Sequence, residues 1–279
     1  MYPLKYELKA VSLGFRKIAI PAGVALPQNY GELLKKWGYV YELGYMMPLD
    51  LTTCLPPKGY LIEVRAGVPG DEFYRVSRVI DEILDDVYAA SEESWDESLC
   101  VRYLTTEALH AVEIYHRYRG GVLGYPPCCV EAYVSGFIEA LRAVLTNSKF
   151  SIRKLTRLTT ALELAQSRAV LEALSSPRRA AEGELPPELY ALPYDNFYPH
   201  RLDCPMATRI GRELEQALSR EERREFRLAL VARGLLILTQ LWQSYKKSGQ
   251  KAPELALLEA YAPRLLSNVE FLKEMYPSL

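Results

Sequence analysis

From about residue 98 onward the chain carries helical periodicity almost without interruption, and strands are hard to find. Apolar residues recur three and four apart, which predicts helices over roughly 105–119, 128–146, 152–175, 205–218, 220–247 and 253–275. A helix with one apolar stripe is stable only when another element covers that stripe, so residues 98–279 are expected to form a helical domain of bundle type. Several ends are marked locally. Ser219 and Glu222 have capping-box spacing, Gly120-Gly121 can end the helix carrying His116, and Pro253 suits a first helical turn. The proline-rich stretch Ser175–Asp195 reads as a long surface connection.

The first ninety residues have a different texture. Lys17–Ala22 is a short apolar run, Asn29–Trp37 has helical character, and Gly59–Ala66 alternates as a strand does. Gly67-Val68-Pro69-Gly70-Asp71 is turn chemistry that leads into a helix from about Glu72 to Ala89. Residues 1–90 are therefore expected to form a small mixed α/β unit, with the acidic stretch Ser91–Glu97 as the boundary. The fold class expected is α+β, predominantly α.

Composition narrows the classes of function. With 34 Lys plus Arg against 35 Asp plus Glu, no global field draws the chain to nucleic acid or a membrane surface, so any such partner must use a local patch. The longest apolar runs, such as Gly234–Thr239, are far short of the roughly 20 residues a membrane span needs. The opening residues lack a signal-peptide pattern, and a soluble, cytoplasmic protein with no membrane partner is expected. Cys54, Cys100, Cys128, Cys129 and Cys204 are an odd and sparse set, consistent with reduced thiols. Arg in excess of Lys, few Asn and Gln, and plentiful Tyr and Pro give a thermophile-like mix, in which an intracellular disulfide is a known exception. Nucleotide-binding glycine loops, the Gly-x-Ser-x-Gly elbow and His-Glu-x-x-His are absent.

The chemistry concentrates in two segments. Gly124-Tyr125-Pro126-Pro127-Cys128-Cys129 places both cysteines at a helix N-terminus, where unpaired N–H groups and the helix dipole stabilise a thiolate. Pro199-His200-Arg201-Leu202-Asp203-Cys204-Pro205 repeats the device, with Asp203 or Cys204 as the cap and Pro205 in the first turn. Cys128, Cys129, His200 and Cys204 are thus candidate metal ligands or catalytic groups, with thiolate as nucleophile and imidazole as base. His116 is an optional further ligand, and Arg201 could hold an anionic cofactor or substrate. Zinc or an iron-containing centre suits these donors. Adjacent helical cysteines point about 100° apart, which argues against both reaching one ion.

Gly-Tyr-Pro-Pro-Cys-Cys-Val-Glu-Ala-Tyr and the later Pro-His-Arg-Leu-Asp-Cys resemble the two motifs of an uncharacterised archaeal family known only as a domain of unknown function. The resemblance covers these motifs and little else, and it implies no activity. It implies a second cysteine in the later motif, where this chain has only Cys204, so a site of the family's type would be one thiolate short.

Two other readings stay open. Lys149, Arg153, Lys154 and Arg157 form a local basic helix face, which Arg142 extends, and RNA is its natural anionic partner. Tyr194, Phe197 and Tyr198 would then offer nearby stacking surfaces. In the last reading the cysteines only cap and pack or form one disulfide, and the protein is a non-enzymatic helical scaffold.

Overall fold

The computed structural model describes residues 4–19, 40–45, 60–65, 106–146, 156–194, 197–248 and 252–275. The expected helices at Asn29–Trp37 and Glu72–Ala89, the acidic boundary Ser91–Glu97, Cys54 and Cys100 lie outside these residues. The described elements are, in order, α1 (Leu4–Ser12), β1 (Ile18–Ala19), β2 (Val40–Tyr45), β3 (Tyr60–Arg65), α2 (Thr106–Val122) and α3 (Pro127–Leu145). Then follow α4 (Thr156–Gln166), α5 (Arg168–Leu174), α6 (Pro177–Glu182), α7 (Pro187–Tyr190), α8 (Pro205–Gln216), α9 (Arg220–Ser248) and α10 (Ala256–Met275). The architecture is predominantly helical. The chain divides into two compact units, Arg16–Ile152 and Met1–Phe15 with Arg153–Leu279.

In the first of these units β3 lies between β1 and β2, both antiparallel to it, with Ile18 and Val40 opposite Arg65. The strand expected at Gly59–Ala66 is β3. The helical part is the pair α2 and α3, whose core is Leu109, Val134, Phe137, Ile138 and Leu141. Gly120 lets the two helices approach closely, because a Cβ there would come within 2.5 Å of the Val130 side chain.

The helix carrying His116 does not end at Gly120-Gly121. It runs to Val122, and Gly124, at φ 71°, takes the left-handed position. Tyr125 N–H donates to the Gly120 carbonyl at 3.0 Å and Gly124 N–H to that of Gly121 at 3.1 Å, which is the bond pair of a Schellman ending. The glycines inside the helix serve packing and the one outside makes the turn.

The other unit is built on α9, whose buried residues include Phe226, Leu230, Val231, Leu235 and Leu238. Its start has the predicted capping box: Ser219 N–H donates to Glu222 Oε2 at 2.8 Å, and Glu222 N–H to Ser219 Oγ at 3.3 Å. The α1 helix packs here. The Tyr6 ring lies edge-on to Phe226 at 5.3 Å, and its hydroxyl donates to the Glu222 carbonyl at 3.2 Å. A self-contained mixed unit over residues 1–90 is therefore not supported, because the short amphipathic α1 buries its stripe with the C-terminal helices.

Two further expectations change. The helix predicted over 152–175 is broken at Ser167, whose hydroxyl accepts from Val170 N–H at 3.4 Å and so starts α5 as an N-cap. Ser175–Asp195 is not a surface connection: Pro177 and Pro187 begin α6 and α7, and Leu185, Leu189, Tyr190, Leu192 and Tyr194 are buried. Proline at a first helical position costs no hydrogen bond, so here it starts helices instead of marking a loop. Among the described residues, no helix is long and apolar enough to cross a membrane.

Candidate metal centre

The Schellman turn at Gly124 is followed almost at once by α3, so the cysteine pair is set by two consecutive helix ends. Val130 N–H makes the first helical bond to the Pro126 carbonyl at 3.0 Å, which puts Cys128 and Cys129 in the first turn of α3. Side chains in a helix tilt toward its N-terminus, so both thiols lean toward the space beyond that first turn. Cys128 is exposed, whereas Cys129 retains 2% of its accessibility.

The second segment is held from α4 and α9. The Thr160 hydroxyl donates to the Pro199 carbonyl at 3.1 Å, and Glu163 Oε2 accepts from Leu202 N–H at 2.6 Å. Arg233, on α9, donates to the Phe197 carbonyl, and its guanidinium lies 5.4 Å from the centroid of the Tyr198 ring. Bonds on both sides of His200 leave its backbone little freedom. Cys204 N–H closes a turn onto the Arg201 carbonyl at 3.1 Å, and Thr208 N–H bonds the Cys204 carbonyl at 3.0 Å. Cys204, not Asp203, is thus the N-cap of α8, with Pro205 after it, and the thiol makes no capping hydrogen bond. Gly211 seats α8 against α7, since a Cβ there would stand 2.1 Å from the Tyr190 carbonyl oxygen.

One ligand atom from each of Cys128, Cys129, His200 and Cys204 lies within 4.8 Å of all the others. Cys129 and Cys204 are buried, His200 is half-buried and Cys128 is exposed. None of the three cysteines is in a disulfide. The angular separation expected for adjacent helical cysteines does not keep the Cys128 and Cys129 sulfurs apart, since they lie within 4.8 Å of each other.

No family model, curated protein or solved structure matches this chain.

Other predicted residues fall elsewhere. His116 is not part of this group; its ring stands edge-on to Phe137 at 4.8 Å and to Tyr133 at 5.3 Å. Arg201 is exposed, with Nε paired to Asp203 Oδ1 at 2.7 Å. Of the basic face, Lys149, Arg153 and Lys154 lie outside the described residues, and Arg157 donates to Gln240 Oε1 at 2.7 Å. Tyr194 and Phe197 are not exposed stacking surfaces: both are buried, and Tyr198 is half-buried with Arg157 and Arg233 against its ring. Sequence reasoning missed Thr160, Glu163 and Arg233, which hold the His200 segment. No local signal marks them, since each acts on backbone distant in sequence.

Proposed function

We propose that Cys128, Cys129, His200 and Cys204 bind a single transition-metal ion, zinc before iron, as a Cys3His centre. The supporting observation is the mutual 4.8 Å limit on the four ligand atoms. A tetrahedral zinc with bonds of about 2.3 Å to sulfur holds its ligands about 3.8 Å apart, so loading needs a contraction of about 1 Å or less. Thiol rotation supplies that. A polynuclear iron–sulfur centre spreads its ligands over several irons, and the compact set fits it less well. Three thiolates and one neutral imidazole leave a net negative charge on a divalent centre, and the two helix N-termini bearing the cysteines offset it.

Four protein donors fill a tetrahedron, which is the arrangement of a structural zinc site, and the ion's role is to stabilise the fold around it. Glu163 and Thr160 act behind the ligands by fixing the backbone that presents His200. Elemental analysis of protein purified without an affinity tag, from zinc-replete medium, should find close to one ion per chain. The Cys204→Ser and His200→Ala variants should fall well below that. Metal far under one equivalent in the unaltered protein would end this reading.

A further inference from the structure

We propose that Cys128 is the oxidant-reactive thiolate of this cluster, and that two-electron oxidation by hydrogen peroxide joins it to Cys204 and not to its neighbour Cys129. The claim rests on the metal reading only for its consequence, release of the ion; the thiol chemistry stands on the cysteines alone. The four donors are unequal in access. Cys128 is exposed, while Cys129 and Cys204 keep 2% and 0% of their accessibility, so a small oxidant meets Cys128 first.

The choice of partner follows from backbone geometry. A disulfide ordinarily needs its two Cα atoms roughly 4.4–6.8 Å apart, whereas neighbours across a trans peptide stand about 3.8 Å apart. No cis peptide occurs among the described residues, and Cys129 N–H is bonded to the Pro126 carbonyl at 2.9 Å in the first turn of α3. Joining Cys128 to Cys129 would distort that turn. Cys204 is on a separate segment, free of this constraint, with its sulfur within 4.8 Å.

The steps balance. Cys128 thiolate attacks one peroxide oxygen, the O–O bond breaks, and Cys128 sulfenic acid and hydroxide form. Cys204 thiolate then attacks the sulfenic sulfur and expels a second hydroxide as the S–S bond forms. Two electrons have passed from the sulfurs to peroxide. Only Cys129 and His200 remain as donors, too few to retain the ion, and reduction by a dithiol restores the set.

The test adds graded peroxide to the full chain as purified, follows metal release with a chromophoric chelator, alkylates the remaining thiols and maps the peptides by mass spectrometry. The expected result is a Cys128–Cys204 cross-link, an alkylated Cys129, and one ion released per disulfide. Cys128→Ser should abolish the cross-link, while Cys129→Ser should keep it. A Cys129–Cys204 link, or Cys128 oxidised without any cross-link, would overturn the proposal. A Cys128–Cys204 link in protein that never held metal would uphold it and refute the metal reading, and metal release without that link would do the reverse.

Discussion

The enclosure of His116 by Phe137 and Tyr133 has a measurable price in acid. Burial pushes its pKa down from 6.5 to about 4, so the folded protein holds this imidazole neutral where the unfolded chain protonates it. As pH falls from 6.5 toward 4 the unfolded state binds more protons, and stability is lost across that window; above it His116 has no effect. The shift is worth up to about 3 kcal/mol, less to the extent that the side chain keeps some exposure. Between pH 7 and pH 4.5 the unfolding midpoint of the unaltered protein should therefore drop further than that of His116→Phe, and parallel curves would contradict the assignment. Tyr190 is perturbed in the opposite direction: burial first, then the Glu215 carboxylate it bonds at 3.0 Å, pushes it up to about 12.

Between α2 and α3, two adjacent glycines make opposite predictions. A methyl group at Gly120 would collide with Val130, whereas at Gly121 it meets nothing within 4 Å. Gly120→Ala should cost about 1–3 kcal/mol through overpacking, and Gly121→Ala should stabilise by up to about 1 kcal/mol by restricting the unfolded chain. Denaturant unfolding of both variants checks the pair, and a shift of the same sign in both would show that the helices approach differently. The same contrast shows what was legible at this level. Caps such as Ser219 with Glu222 act within one helical turn and could be read directly. The break at Ser167 was missed because apolar periodicity continues across it, while the hydroxyl's local bond diverts the backbone.

For the molecule as a whole, a bound ion is linked to stability. A metal that binds only the folded chain adds about 4 kcal/mol when its free concentration is a thousand times its dissociation constant. Chelation should then lower the calorimetric melting temperature by on the order of 10 °C for a chain of this size. Zinc should restore it and magnesium should not, because thiolates and imidazole are poor partners for a hard cation. A melting temperature indifferent to chelator would mean the four side chains hold nothing that matters to the fold. The small apolar cleft lined by Leu238, Trp242, Leu258 and Leu265 belongs to the α9–α10 packing.

Read alone, the amino-acid order determined where most helices lie and which residues stand at their first turns. Apolar spacing, proline at first helical positions and capping pairs act over a few residues and need no partner. It also singled out Cys128, Cys129, His200 and Cys204. How the segment carrying His200 and Cys204 is held was decided only by tertiary packing, through Glu163 on Leu202, Thr160 on Pro199 and Arg233 on Phe197. The same packing enclosed His116 in aromatic rings, buried Tyr194 and Phe197, and assigned α1 to the C-terminal helices. Those outcomes depend on contacts between residues distant in the chain, which no local pattern encodes.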